Sequence, residues 1–307
     1  MRKSYPVMKG NQPSRHTLGT SDEGASFAFA LPLALLLLLF AFLPLAGTLL
    51  TSLFRDTTFL EKKFIFLANY SSLFRDRSFF QSLTFTLAFI ATSVPLEIAL
   101  GFLFSLVVHE NVPALGFFRV ALILPWAVPA AVSGRVWELI YSYSHGIANT
   151  FLLKLGIISH PVNWLGTETG AFFSLVFADV WKTTPFVAII LLAGLQSIPS
   201  DIHRQASVDG AGPLRRLFTI TLPMLKPSLV VALLFRTIDA LRVFDVVYVL
   251  TKGGPGGTTT SLSLYAYRYY VSGDFGYGSA VSVVLFFCAL ALSILYLRAS
   301  RFREVLA

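Results

Sequence analysis

Four ionisable residues, Arg236, Asp239, Arg242 and Asp245, follow one another at intervals of three inside an otherwise apolar stretch. Their signs alternate, so on a helix each charge can meet the next one turn away. An unpaired charge in hydrocarbon is expensive, and such residues either neutralise one another or face a polar cavity. Three steps of three residues rotate a helix by roughly 900°, which sets Arg236 and Asp245 on opposite sides and leaves one end of the series facing another partner. Glu97, the pair Arg135 and Glu138, and the pair Asp179 and Lys182 are further ionisable positions in apolar runs. The two pairs have i,i+3 spacing and read as internal ion pairs. The chemistry on offer is hydrogen bonding and charge pairing. His203 beside Arg204 is isolated and reads as the polar face of a loop helix, far short of the residue cluster a membrane enzyme needs. The lone Cys288 has no disulfide partner and no companion metal ligands, and reads as a small core residue.

The elements that carry these residues follow from composition. Hydrophobic residues make up 55% of the chain and charged ones 13%, so water is not its main solvent. Crossing a bilayer takes about 20 apolar residues as helix. Six such runs are present, at about 27–50, 82–108, 117–141, 171–195, 227–250 and 279–297. The expected fold is therefore all-α, a polytopic membrane protein with about six transmembrane helices. The first run holds Pro32, Pro44 and the stretch Leu35 to Phe40; it exceeds the apolar core of a signal peptide and reads as an uncleaved helix. The fifth carries the most charge.

The formal charge of +8 could indicate a nucleic-acid partner, but in a multispanning chain basic residues first hold loops on the cytoplasmic side. With both termini inside, the inner segments carry Arg2, Lys3, Lys9, Arg15, Arg119, Arg204, Arg215, Arg216, Lys226, Arg298, Arg301 and Arg303. The outer segments carry Arg55, Lys62, Lys63, Arg75, Arg77, Lys154, Lys252 and Arg268 over a longer total length. The bias favours cytoplasmic termini and no nucleic acid. It divides the chain into a cytoplasmic tail at 1–26, a membrane domain at 27–298 and a second cytoplasmic tail at 299–307. The segment from Arg55 to Arg77 is an unusually basic outer loop.

Between the fourth and fifth runs the sequence turns polar. Asp201, after Pro199 and Ser200, can cap a short helix reaching about Ser207; Gly210 and Gly212 can end it in left-handed geometry, and Pro213 can open the next. By pattern this is either an amphipathic loop on the membrane surface or a docking element. Gln205-Ala206-Ser207-Val208-Asp209-Gly210-Ala211-Gly212, followed by Ile220-Thr221-Leu222-Pro223, resembles the EAA loop of binding-protein-dependent ABC importer permeases. The Asp-Gly-Ala and Leu-Pro parts match the family pattern; Gln205 stands where the family has Glu, and Ser207 where it has Ala. Gln205 keeps hydrogen-bonding reach without the charge for a salt bridge. Trp137-Glu138-Leu139-Ile140-Tyr141, Gly146, Asn149, Trp164-Leu165 and Trp181-Lys182 extend the resemblance to the maltose-type carbohydrate permease subgroup. So do Phe244-Asp245, Tyr248, Leu250-Thr251, Gly253-Gly254-Pro255 and the stretch Gly276 to Ala280, and together these cover roughly residues 80–300.

The resemblance implies a permease subunit, not an enzyme, that passes a sugar or sugar derivative across the cytoplasmic membrane of a bacterium or archaeon. It implies a coupling loop at about 196–223, docked on an ATPase through Gln205, Ala206, Ser207, Asp209, Gly210, Ala211, Gly212, Leu222 and Pro223. It places Arg236, Asp239, Ala240 and Val243 on the substrate path, with the aromatic faces of Phe244 and Tyr248 nearby. It implies a second homologous permease, two ATPase subunits and an extracytoplasmic sugar-binding protein as partners, besides membrane lipid. The chain has no phosphate loop, since Gly253-Gly254-Pro255-Gly256-Gly257 lacks the lysine and the strand–helix setting. No cofactor is expected in it, and ATP and Mg belong to the partner. The rival class is a secondary, ion-coupled solute transporter, which would commonly show two similar halves with broken helices at matching positions. No such repeat is visible in the sequence.

Overall fold

The computed structural model describes residues 20–109 and 115–299. Most of the two expected tails, with their basic residues, lies outside the described residues. Among the described residues, five helical stretches are long and apolar enough to cross a membrane, and a bent helix pair, counted as one span, makes a sixth.

The chain divides into two units, 1–47 and 48–307. In the first, α1 (Thr20–Leu37) passes through a π-helical turn at Leu38–Phe42 into α2 (Leu43–Thr51), which ends in the second unit. Its side chains from Phe29 to Leu43 are almost all exposed and apolar, as lipid requires of a spanning helix. Pro44 has no N–H to give to the preceding turn, and the wider π turn stands just ahead of it.

In the second unit a hairpin of β1 (Phe54–Thr57) and β2 (Leu60–Phe64) occupies the basic segment, followed by α3 (Ala68–Leu73). The sequence reading held no strand there. Asn69 fixes the hairpin by donating to the Ser52 and Phe54 carbonyls at 2.8 and 2.9 Å. Next come α4 (Arg77–His109), α5 (Leu115–Ala127), α6 (Ala130–Ile140), α7 (Ile147–Lys154) and α8 (Glu168–Gln196). Asn149 ties the α6–α8 connection together, donating to the Val162 carbonyl at 3.0 Å and accepting from Trp164 Nε1 at 2.9 Å.

Helices α4 and α8 run parallel at the centre. Phe85 packs on Phe172 with centroids 5.9 Å apart, and farther along both helices a Cβ on Gly101 would lie 2.6 Å from Val187 Cγ1. That contact is possible only for glycine. After α9 (Ser200–Val208) and α10 (Pro213–Arg216), a π turn at Leu217–Thr221 leads into α11 (Leu222–Leu241). Pro223 repeats the arrangement at Pro44. Helix α11 returns antiparallel to α8, with Leu225 and Ser228 against Gly194. Then α12 (Asp245–Leu250), α13 (Leu262–Val271) and α14 (Phe275–Ala299) complete the fold. Phe89, Leu175, Val187, Leu191 and Leu225 are fully buried between these helices.

The third apolar run is not one straight span. It bends by 101° between α5 and α6 at Val128 and Pro129. Pro129 removes a donor and pushes the residue before it out of helical geometry. The fifth run is broken too: α11 stops at Leu241 and α12 restarts at Asp245. The Val243 carbonyl at this break accepts from Ser261 Oγ at 2.7 Å, which satisfies one of the backbone groups the break frees.

Where α13 and α14 meet the start of α4, Asp76 accepts from the Ser78 amide at 2.8 Å, from Tyr277 at 3.0 Å and from the Tyr265 hydroxyl. Burial alone raises the Asp76 pKa, but these donors outweigh it and hold the carboxyl below its ordinary value. Burial and the Asp76 contact push the Tyr265 hydroxyl up.

Candidate functional site

Arg236 is the largest fully buried side chain, 2% exposed, and sits among three carboxylates. Glu97 of α4, itself fully buried, accepts from Nε at 2.5 Å and from Nη2 at 2.9 Å. Asp179 of α8 accepts from Nη2 at 3.1 Å, and Asp239, one turn along α11, accepts from Nη1 at 2.5 Å. This planar fork fixes three helices to one another where a lysine could not. Asp239 also takes Arg242 Nη2 at 3.3 Å.

The alternating series is therefore realised only in part. Arg236–Asp239 and Asp239–Arg242 form, but the break after Leu241 ends the helical spacing before Asp245. The expected Asp179–Lys182 pair does not form as an ion pair; Asp179 turns to Arg236, and Lys182 donates to the Trp126 carbonyl at 3.4 Å. Arg135 and Glu138 pair as expected, at 2.5 Å.

Both helix breaks open on one cleft of about 350 Å³. Trp126 and Ala130 border it at the α5–α6 bend, and Arg242, Val243, Phe244 and Asp245 border it at the α11–α12 break. Ala178, Asp179, Lys182 and Thr183 supply the α8 wall, with Asp239 and Val246 opposite. The cleft thus offers carboxylate acceptors, cationic donors and the rings of Trp126 and Phe244, a set that suits a neutral, many-hydroxyl solute.

Of the six positions assigned to the path, Asp239, Val243 and Phe244 line this cleft. Arg236 lies behind the wall as its support, and Ala240 is buried in the core. Tyr248 borders a neighbouring cavity, its ring stacked on Phe244 at 5.4 Å. Sequence reasoning missed Trp126, Arg242 and Asp245 as wall residues. For the two charged ones the signal was present, since each is an ionisable residue inside an apolar run; Trp126 had none.

The polar loop forms a separate site. Helix α9 is held by the Asp201–Arg204 pair within its first turns, so Asp201 does not cap it. Gly210 is left-handed at φ +78°, and the Ala211 amide returns to the Ala206 carbonyl at 2.9 Å to close the helix end. Gly212 has φ −64° and takes no left-handed role; Pro213 opens α10 as expected. Ser207 donates to the His203 carbonyl and accepts from Arg216 Nη1, both at 2.7 Å, which locks α9 to α10. Ala206 is buried against this scaffold, whereas Gln205, Asp209, Gly212 and Pro223 are exposed, and Ala211 and Leu222 half-buried. Val208 is 88% exposed and Leu214 71%, with Phe218 also uncovered.

The family described as "Binding-protein-dependent transport system inner membrane component" matches residues 65–305. The trehalose/maltose transport system permease protein MalF of Thermococcus litoralis is 51% identical over 279 residues, 91% of this chain and 94% of that one. The sulfoquinovosyl glycerol transport system permease protein SmoG of Agrobacterium fabrum is 38% identical, covering 94% of each chain. The trehalose transport system permease protein SugA of Mycobacterium tuberculosis is 37% identical, over 91% of this chain and 89% of that one. Among solved structures, a bacterial ABC transporter involved in importing the acidic polysaccharide alginate shares the fold at TM-score 0.80 and 23% identity, covering 92% of this chain and 96% of that one. Broken spans alone would also suit an ion-coupled carrier, but these relationships set that alternative aside. The chain belongs to the binding-protein-dependent transport system inner membrane components, and is a multi-pass permease subunit of that family.

Proposed function

We propose that this chain passes a neutral sugar through the cleft between its broken spans, as one permease subunit of an ATP-driven importer. The observation that carries the reading is that both helix breaks converge on a single cleft that mixes carboxylates, cations and aromatic rings. The trehalose and maltose in the names of relatives agree with that chemistry.

In this reading the α9 loop faces the cytoplasm, both termini lie on that side, and the hairpin faces outward in a bacterial or archaeal cytoplasmic membrane. The uncovered Val208, Leu214 and Phe218 dock α9 and α10 on an ATPase, together with the loop residues from Gln205 to Gly212 and the Leu222–Pro223 pair. ATP and Mg are bound by that partner. A second homologous permease completes the path, a second ATPase pairs with the first, and an extracytoplasmic sugar-binding protein delivers the solute. One solved relative of the fold was crystallised with an alginate-loaded periplasmic protein.

Helix α9 joins α8 directly and leads through α10 into α11, the two helices that hold Asp179, Arg236 and Asp239. Displacing α9 therefore moves two walls of the cleft through one rigid ionic joint, which alternates its access. The test is purification of the tagged chain in mild detergent, identification of co-purifying subunits, and uptake by the reconstituted complex with maltose and trehalose as probes. ATP-dependent uptake by a complex with an ATPase and a second permease supports the reading. Full uptake by the chain alone sinks it.

A further inference from the structure

Phe244 lines the cleft, yet its ring belongs to a triad that continues out of it. It lies 5.4 Å from Tyr248, nearly parallel, and 5.0 Å from Tyr267 of α13; Tyr248 and Tyr267 are 5.6 Å apart. Tyr248 and Tyr267 in turn border a separate cavity of about 660 Å³ with Arg135, Lys252 and Arg268. One aromatic cluster thus forms a wall of both chambers. The second chamber lies beyond the first along α12, which runs from Asp245 towards Lys252. Its volume falls in the range of about 300–1,000 Å³ typical of small-molecule sites.

The two chambers differ in hydrogen-bonding sense. The cleft presents three carboxylates, Asp179, Asp239 and Asp245, beside the cations Lys182 and Arg242. The second chamber is rich in donors. Arg135 is neutralised by Glu138, so it does not call for an anion. Arg268 is held in place by donating to the Lys252 carbonyl at 2.7 Å and the Thr260 hydroxyl at 3.3 Å, which leaves further N–H groups of its fork to donate. Lys252 is exposed beside it. Half-exposed tyrosine faces with flanking fixed donors are what a sugar ring needs: its C–H face lies on the aromatic ring and its hydroxyl oxygens accept.

We propose that this second chamber is an outer carbohydrate subsite, where a pyranose ring stacks on Tyr267 and accepts from Lys252 and Arg268 before moving along the triad to the cleft. The proposal rests on the importer reading above and adds an entry station to it. The triad lets the ring exchange one aromatic face for the next, so at no step must it desolvate both faces.

The test uses the complete complex reconstituted in proteoliposomes, with maltose and trehalose as probes. Saturation-transfer NMR reports sugar contact with the complex, and uptake is measured at saturating sugar-loaded binding protein. Tyr267→Ala should reduce the saturation-transfer signal and slow uptake several-fold, with ATPase assembly unchanged, and Tyr267→Trp should restore both. Wild-type behaviour of Tyr267→Ala, or equal restoration by Tyr267→Leu, overturns the subsite, the second because it shows a packing role. If Lys252→Glu loosens binding-protein docking while the Tyr267 variants do nothing, an acidic protein segment occupies the chamber and the proposal is wrong. Loss of uptake in Asp239→Asn with wild-type behaviour of Tyr267→Ala removes only the outer subsite. An absence of sugar uptake in the wild-type complex removes the importer reading itself.

Discussion

The joint around Arg236 and the surface around α9 treat their side chains in opposite ways. At the joint, charges that belong in water are buried and satisfied within the chain: Arg236 reaches Glu97, Asp179 and Asp239 on three helices. On the loop, apolar groups that belong in a core are left in the open, with Val208, Leu214 and Phe218 uncovered. The first region is satisfied within the chain, and the second leaves apolar surface uncovered. Charge inside a span is therefore a poor guide to which residues line a cleft. Here the buried pair of Arg236 and Glu97 positions the wall, and the less buried Asp239 presents to the cleft.

The comparison breaks most sharply at Arg236. Arg236→Met leaves Glu97 and Asp179 buried without their cation, at a cost of about 3–5 kcal/mol. The expected result is a large fall in membrane abundance and in the thermal stability of the purified complex, while Arg242→Met, at an exposed pair, leaves both nearly unchanged. On the loop side, Gly210→Val forces a branched residue into left-handed geometry at roughly 1–2 kcal/mol. The chain should still insert but recruit less ATPase on co-purification, and normal recruitment would count against the docking role of the loop. Between the two regions, Asp239→Asn should leave assembly intact and lower uptake by about tenfold, since a hydrogen bond to a charged group is worth roughly 1.5–3 kcal/mol. Uptake at the wild-type rate would take Asp239 out of the path.

The smallest effect concerns Asp76, at the start of α4. The Asp76 carboxyl lies below its ordinary pKa in the folded chain, so it contributes stability above the unfolded value near 3.8 that is lost as pH falls through the folded value. Tyr265→Phe removes one donor and should make the acid limb of the stability profile shallower. An identical acid limb in the variant would show that the contact carries no linkage.

Much of the frame was legible because lipid demands long apolar runs: four of the six spans fall within about five residues of where hydrophobicity placed them. The loop around Gly210 and Pro213 was legible because left-handed geometry and helix starts have residue signatures. The bend at Pro129 was hidden inside a run whose hydropathy does not register direction, although the proline itself was in view. The break at Arg242 to Phe244 has no glycine or proline to announce it; it exists because Ser261, far along the chain, satisfies the freed carbonyl. For the same reason Asp179 was assigned to Lys182 by local spacing, when its partner lies 57 residues away on another helix. The hairpin escaped notice because its β2 residues are all exposed, so no alternation of buried and exposed positions marks them.

The π turn at Leu217–Thr221 has a consequence for how this loop can change over time. A π turn holds one residue more than the α-turn it replaces, while the helix on either side keeps its rotational phase. Deleting one residue there would restore a plain α-turn without swinging Arg236 off Glu97. The turn therefore acts as a length buffer. One-residue insertions and deletions around α9 can be absorbed at this point, and the buried joint need not evolve with them.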